Sequence, residues 1–145
     1  MKKIANSLLV LLFAFNAIAC SNAQSNNNLT SDESSVKTKK VEVYYFHYTR
    51  RCATCNAVEN GSKKALETLY AEKVKAGTIT FKSINLDDDS SKEIAEKLNV
   101  SGQTLLFVSG SETVNLTNKG FMYARGNPDK LKEEIKKTVD DLLSQ

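Results

Sequence analysis

The chain has 145 residues, of which 20 are Lys or Arg and 17 are Asp or Glu, for a formal net charge of +3. This length suits one domain of ordinary size, and the nearly balanced charge does not indicate a protein that binds nucleic acid. The odd number of cysteines, three, leaves one thiol to be explained outside any disulfide pair.

Residues 1–19 have the pattern of a secretory signal peptide. Two lysines precede an apolar stretch, residues 4–15, that is too short to span a bilayer, and small residues follow it. The segment Ala17-Ile18-Ala19-Cys20 fits ordinary signal cleavage and also a bacterial lipobox, although leucine is the usual residue where Ala17 stands. We predict that Cys20 is lipidated and that the protein is exported to the bacterial periplasm or cell envelope. The alternative is a spare thiol that is lost with the signal peptide.

A polar linker follows, so an anchor at Cys20 would tether the rest of the chain to a membrane. Of the 18 residues after Cys20, 12 are Ser, Thr, Asn or Gln, and only Leu29 and Val36 are sizeable apolar side chains. Such a segment cannot build a hydrophobic core. We therefore predict a lipid-anchored flexible linker over residues 20–38 and one folded domain over residues 39–145.

The domain begins with a β-rich run that leads to a pair of cysteines. Apolar residues occupy both faces of residues 41–46, as expected of a central strand. The chain then reaches Cys52 and Cys55 through a short basic loop, and an amphipathic helix is predicted to start near Cys52. The N-terminus of a helix at this position favours a thiolate over a thiol.

The Cys-x-x-Cys spacing alone serves disulfide exchange, half of a zinc site or haem attachment. Haem attachment needs a His directly after the second Cys, and Asn56 occupies that position. A structural zinc site usually needs a second ligand pair, and the sequence has no other close pair of Cys or His residues. With Cys20 assigned to lipid, Cys52 and Cys55 form one pair in a compartment where disulfides persist. The sequence predicts no bound cofactor and no metal; the redox-active group would be the Cys52–Cys55 disulfide itself.

The rest of the domain alternates helices and strands. The first helix carries an apolar stripe, which Asn60-Gly61 is predicted to kink and Gly77 to end. Further elements are predicted as a strand over residues 79–86, a short helix over 90–98, strands over 104–108 and near 121–124, and a closing helix from Pro128. Gly110 predicts a hairpin turn after the third strand.

This order of elements, with the dithiol at the first strand-to-helix turn, resembles the thioredoxin fold, an α/β fold with a central mixed β-sheet flanked by helices. The resemblance covers residues 39–145, and its most specific parts are YYFHYTRRCATC, TITFKSINLDDD and LNVSGQTLLFVSG. More narrowly, the first string resembles a group of exported thioredoxin-like proteins called nitrophenyl compound nitroreductase subunits. Because the chain has no Gly-rich flavin or nicotinamide fingerprint, nitro reduction would need another subunit to carry the redox cofactor.

The resemblance implies a role for each residue around the dithiol. Cys52 would be the attacking thiolate, and Cys55, one helical turn further on, would resolve the mixed disulfide. Arg50 and Arg51 would stabilise the thiolate or attract an anionic partner, or else be solvated loop charges. His47, the single histidine, would tune the site or shuttle protons, or else be a hydrogen-bonded residue at the end of a strand.

Two features depart from the thioredoxin pattern. Gly102-Gln103-Thr104 stands where the family has a cis proline, and the bond before Gln103 is expected to be trans because a cis bond without proline costs about 2.5–4 kcal/mol. Gln103 is a candidate substrate contact, or else a loop residue with no role. The buried acid of many thioredoxins also lacks a counterpart in the first strand, where Glu42 is the one carboxylate.

Three classes of function are compatible with these residues. The leading one is a membrane-tethered, exported thiol–disulfide oxidoreductase whose partner is a protein disulfide or dithiol. The second is a lipoprotein that binds a soft metal or metalloid through Cys52, Cys55 and His47. The third is a non-catalytic accessory subunit of a reductase, in which the cysteine pair is a structural or regulatory disulfide.

Overall fold

The computed structural model describes residues 39–145. The signal peptide of residues 1–19, the linker of residues 20–38 and the lipidation of Cys20 fall outside these residues and stay predictions. Among the described residues, no helix is both long enough and apolar enough to cross a membrane.

A mixed sheet of four strands forms the centre of this part of the chain. The strands are β1 (Val41–His47), β2 (Ile79–Asn85), β3 (Thr104–Ser109) and β4 (Glu112–Asn115), in the order β2-β1-β3-β4. β1 runs parallel to β2 and antiparallel to β3, which pairs antiparallel with β4. The helices of residues 39–145 are α1 (Ala53–Leu69), α2 (Ala71–Lys75), a 3-10 turn (Asp89–Ser91), α3 (Lys92–Lys97), α4 (Thr117–Tyr123) and α5 (Pro128–Ser144).

β1 is a central strand that is buried on both faces, as its apolar pattern predicts. On one face Val43 and Tyr45 belong to the main core, together with Val58 of α1 and Ile135 of α5. On the other face Phe46 packs in a second, smaller core that includes residues of α3. Helices therefore cover both sides of the sheet.

The first helix begins where the sequence predicts but does not kink at Asn60-Gly61. α1 runs without interruption from Ala53 to Leu69. A Cβ atom on Gly61 would lie 3.4 Å from Leu131 Cδ2, so α5 packs closely against α1 at this glycine. This packing keeps the glycine helical, and the helix instead ends at Tyr70.

The predicted strand near residues 121–124 is wrong, because these residues lie in and just after α4. The true return strand is β4, where Ser109 pairs with Glu112 and leaves a two-residue turn at Gly110. Gly110 has a φ of +61°, which suits such a turn. β4 lies at the edge of the sheet and is mostly solvent-facing, so its polar sequence ETVN carries little of the apolar pattern of a buried strand.

The closing helix α5 matches its prediction at both the cap and the apolar stripe. Pro128 is in its first turn, and the Asn127 side chain accepts a hydrogen bond from the Lys130 N–H at 3.1 Å. The predicted inward residues of this helix are all buried: Leu131, Ile135, Val139 and Leu142. With this helix and α1 on one face, α3 on the other and the dithiol after β1, the domain has the predicted thioredoxin-like α/β fold.

Candidate redox-active site

The dithiol forms the cap of α1. Cys52 and Cys55 are joined in a disulfide, with 5.1 Å between their Cα atoms. Cys52 is the N-cap residue, and its Sγ accepts a hydrogen bond from the Cys55 N–H at 3.0 Å. The Cys52 N–H donates in turn to Cys55 Sγ at 3.3 Å. The Cys55 N–H and the helix macrodipole favour negative charge on the Cys52 sulfur once the disulfide is opened.

The two cysteines differ sharply in their exposure. Cys52 is exposed, whereas Cys55 is only 3% exposed and packs in the domain interior. The difference follows from the helix start, because Cys52 precedes the first turn while Cys55 lies within it on the buried side of the helix. A partner that approaches from solvent therefore reaches the sulfur of Cys52 first.

Gln103 lies directly beside the buried sulfur. Its side-chain Oε1 is 3.4 Å from Cys55 Sγ, although the two residues are 48 positions apart in the sequence. No peptide bond in residues 39–145 is cis, so the bond before Gln103 is trans as predicted. Gln103 immediately precedes β3, and Thr104 pairs with Phe46 near the end of β1. The pairing of β1 with β3 thus brings the glutamine to the dithiol.

The two arginines before the dithiol have different surroundings. Arg50 is exposed. Arg51 is largely buried and forms an ion pair with Glu59 of α1, in which the side chains are 20% and 18% exposed. Its guanidinium carbon also lies 5.6 Å from the ring centroid of Tyr45, within the range of a cation–π interaction. Arg51 is therefore a compensated charge rather than a solvated loop cation.

Glu59 supplies a carboxylate near the dithiol that the sequence alone did not reveal. It follows Cys55 by four residues on α1, which places both on the same side of the helix. Burial acts to raise the pKa of Glu59, but hydrogen bonds with Ser83 and Arg51 outweigh it and hold the pKa below its ordinary value. Glu59 is thus ionised at neutral pH.

Tyr45 lies beneath this ion pair on the face of β1 that α1 covers. Its side chain is fully buried, and burial raises its pKa, with the charge of Arg51 acting in the opposite direction. Among residues 39–145, neither the Tyr45 hydroxyl nor the Arg51 Nε has a hydrogen-bond partner. The start of α1 therefore covers a small polar cluster of Tyr45, Arg51 and Glu59.

His47 and Tyr48 lie at the end of β1, where the chain turns toward the dithiol. His47 is half-buried and its Nδ1 lies 2.9 Å from the Tyr48 carbonyl, which can only accept, so Nδ1–H donates. The Tyr48 side chain is 39% exposed, and its hydroxyl donates to the Ser101 carbonyl at 3.4 Å. This contact ties the dithiol loop to the loop that carries Gln103. A proton-transfer role for His47 stays a prediction.

A second anchor fixes the dithiol loop to the end of β2. The Thr49 N–H donates to Asp87 Oδ2 at 2.8 Å, and the Asn85 side chain donates to Thr49 Oγ1 at 2.9 Å. The backbone hydrogen bond from Thr49 lowers the pKa of Asp87. Sequence reasoning did not identify this anchor, because it joins two loops that only the parallel pairing of β1 and β2 brings together.

Other features of residues 39–145 lie away from this chemistry. No group of three or more His, Cys, Asp or Glu residues in this range is arranged to hold a metal ion. A cavity of about 440 Å³ lies near the opposite end of β1, between Lys40, Gly110 and Leu142. The cavity is lined by none of the dithiol-site residues, so the candidate site is the dithiol and not the cavity.

No protein-family model and no curated protein sequence matches the chain. A solved structure of a malarial protein is 20% identical, with a TM-score of 0.38, and the match covers 51% of this chain and 74% of that one. The first two thioredoxin domains of Naumovozyma dairenensis Eps1p are also 20% identical, with a TM-score of 0.40, over 68% of this chain and 39% of that one. The fold assignment rests on the strand order and pairing of the chain itself. Residues 39–145 form a thioredoxin-like α/β domain with a Cys52–Cys55 disulfide at the start of its first helix.

Proposed function

We propose that the protein is a thiol–disulfide oxidoreductase in which Cys52 is the nucleophile and Cys55 the resolving thiol. In the reducing direction, the Cys52 thiolate attacks a disulfide of a protein partner and forms a mixed disulfide, and one partner sulfur leaves as a thiolate. Cys55 then attacks Cys52 Sγ, the second partner sulfur leaves as a thiolate, and the Cys52–Cys55 disulfide forms. Two electrons pass from the dithiol to the partner, and the reverse sequence oxidises a partner dithiol.

The observation that carries this proposal is the contrast between the two sulfurs. Cys52 is exposed at the N-cap of α1, and its sulfur accepts a hydrogen bond from the Cys55 N–H at 3.0 Å. Cys55, in contrast, is only 3% exposed. Hydrogen bonds from the backbone at a helix N-terminus stabilise a thiolate and make it a better leaving group. A purely structural disulfide does not need one exposed and one buried sulfur.

The proposal includes export and tethering of the domain. The signal-like pattern of residues 1–19 and the Cys at position 20 support export and a lipid anchor in the cell envelope. The polar linker of residues 20–38 supports a domain that reaches partners near the membrane surface. In the periplasm or cell envelope, a Cys52–Cys55 disulfide can persist between reaction cycles.

Trapping of partners in cells tests the nucleophile and the resolving thiol together. Cys55→Ser should accumulate mixed disulfides with protein partners, visible as reducible high-mass bands after acid quenching and alkylation, because no second thiol resolves them. Cys52→Ser should accumulate none, and the double variant measures the background. If neither single variant traps partners above that background, the disulfide belongs to a non-catalytic subunit or to a metal-binding module.

The reduction potential separates an exchanging disulfide from an inert one. A pair that exchanges with partners should equilibrate with glutathione or dithiothreitol buffers in the range of known oxidoreductases, roughly −120 to −270 mV. A structural disulfide would lie below about −300 mV. Quantifying the thiol content of the purified protein across redox buffers gives this value directly.

A further inference from the structure

Gln103 lies next to the buried cysteine on an anchored loop. Its Oε1 lies 3.4 Å from Cys55 Sγ. The loop before β3 is fixed on two sides, because Thr104 Oγ1 donates to the Gly102 carbonyl at 2.9 Å and the Tyr48 hydroxyl donates to the Ser101 carbonyl at 3.4 Å. The strand pairing and these loop contacts therefore place the backbone of Gln103 within reach of the Cys55 sulfur.

A primary amide can serve both forms of the cysteine that the proposed function requires. The Oε1 end accepts a hydrogen bond and the Nε2 end donates one, and rotation about the last side-chain bond exchanges the two ends. A Cys55 thiol can donate S–H to Oε1, and a Cys55 thiolate can accept N–H from Nε2. In the disulfide, Cys55 Sγ carries no hydrogen and no charge. The amide can therefore take part in these hydrogen bonds only after the disulfide is reduced.

Cys55 needs such a partner because it is nearly removed from water. A buried thiolate without hydrogen-bond donors is costly, and Cys55 is 3% exposed. The Cys52 N–H already points at its sulfur from 3.3 Å. Two ionisable side chains of the site are otherwise engaged, since Glu59 is paired with Arg51 and His47 donates Nδ1–H to a backbone carbonyl, and Arg50 is exposed to solvent. The amide of Gln103 can add an uncharged donor to this sulfur.

We propose that Gln103 is a catalytic residue whose side-chain amide donates a hydrogen bond to the Cys55 thiolate while Cys55 resolves the mixed disulfide. This inference rests on the proposed function of the dithiol. In the step concerned, the Cys55 thiol first loses its proton to solvent, and Nε2–H of Gln103 stabilises the thiolate that remains. The thiolate attacks Cys52 Sγ, the bond between Cys52 and the partner sulfur breaks, and that sulfur leaves with the electron pair.

Two-phase kinetics with Ellman's reagent separate attack by Cys52 from resolution by Cys55. The purified protein carries Cys20→Ser, is reduced, and is mixed with one equivalent of the reagent. Attack by Cys52 releases one thionitrobenzoate, and attack by Cys55 on the resulting mixed disulfide releases the second. Gln103→Leu and Gln103→Met remove the amide at similar side-chain size, and Ser101→Ala is the control in the same loop.

We expect both Gln103 variants to slow the second phase by about tenfold or more and to leave the first phase within about twofold of the parent, because a hydrogen bond to a charged group is worth at least about a factor of ten in an equilibrium. The slowed phase should recover as the pH is raised, since a larger fraction of Cys55 is then ionised. A folded Leu or Met variant with an unchanged second phase would overturn the role of Gln103 and leave the proposed function standing. A parent protein that releases only one equivalent would instead overturn the proposed function.

Discussion

Arg51 and Glu59 form an ion pair that links the residue before Cys52 to the second turn of α1. Both side chains are largely buried, at 20% and 18% exposure. The carboxylate of Glu59 therefore opposes the effect of the Arg51 charge on the nearby dithiol. Arg50, in contrast, is exposed, so any effect of its charge on Cys52 is screened by solvent. The two arginines should consequently affect the thiolate in different ways.

Single substitutions in the ion pair should shift the reactivity of Cys52 in opposite directions. Arg51→Gln should raise the pH midpoint of Cys52 alkylation and Glu59→Gln should lower it, each by about 0.5 to 1 pH unit, because each leaves one uncompensated charge near the sulfur. The double variant should return close to the parent midpoint. Alkylation rates with iodoacetamide across pH, in a Cys20→Ser background, measure the effect. Shifts of the same sign in the two single variants would contradict the compensation.

Arg50 should act as a screened surface charge. Arg50→Gln should raise the same alkylation midpoint by less than about one pH unit at low salt, and the effect should shrink at about 0.5 M salt because exposed charges are screened. Lys63→Gln removes an exposed charge further along α1 and serves as the matched control. If Arg50→Gln behaves like Lys63→Gln at low salt, Arg50 is a solvated loop charge with no influence on the dithiol.

Most parts of the site that the sequence predicted are set by short-range signals, whereas Gln103 is a candidate only through the resemblance to the thioredoxin fold. The apolar run of β1 and the helix start near Cys52 lie within 15 residues of each other, and both appear in the structure as predicted. The contact of Cys55 with Gln103 spans 48 residues and depends on the antiparallel pairing of β1 with β3. The pairing of Arg51 with Glu59 depends on the path of the loop before α1. Neither contact leaves a periodic signal in the sequence.

The wrong prediction of a strand near residues 121–124 also shows that local sequence signals do not settle contacts between distant segments. β4 is an edge strand of four residues, and its sequence, ETVN, is mostly solvent-facing. The more apolar residues 121–124 look more like a strand, but they pack as a helix because Gly120 allows α4 to approach Val58 of α1. Tertiary packing, and not local preference, decides this segment.

The ion pair should make the stability of the domain depend on pH in acid. The pKa of Glu59 is lowered in the folded state, so its contribution is fully present above its unfolded value of about 4.3 and is lost as pH falls through the lower folded value. Glu59→Gln should therefore be less stable than the parent at pH 6, and the difference should narrow toward pH 3. Urea unfolding across this range measures it, with the exposed Glu67→Gln as control. A difference that is independent of pH would contradict the charge-based origin.

The close approach of α4 to α1 should be sensitive to side-chain size at Gly120. A Cβ atom there would lie 3.1 Å from Val58 Cγ1 and 3.5 Å from Leu105 Cδ2. Gly120→Val should destabilise the domain by about 1–3 kcal/mol, because the core at this point has no room for the added methyl groups. A Cβ atom at Gly126 would have no neighbour within 4 Å, so Gly126→Val should change stability by less than about 0.5 kcal/mol. Equal losses in chemical denaturation would argue against crowding at Gly120.

Lipidation at Cys20 should determine where the domain is found without changing its chemistry. The segment before Cys20 has small residues at Ala17 and Ala19, so we expect cleavage directly before this cysteine and a lipid-modified N-terminus in the native protein. Mass spectrometry should show that modification, and the protein should partition with membranes. Cys20→Ser should move it to the soluble fraction while the Ellman's reagent kinetics of the dithiol stay unchanged, because the polar linker separates the two sites.

Cys55→Ser, which keeps Cys20, should stay with the membranes and is the matched control. An unmodified Cys20, or a mature chain that starts at another residue, would leave an exported protein without an anchor.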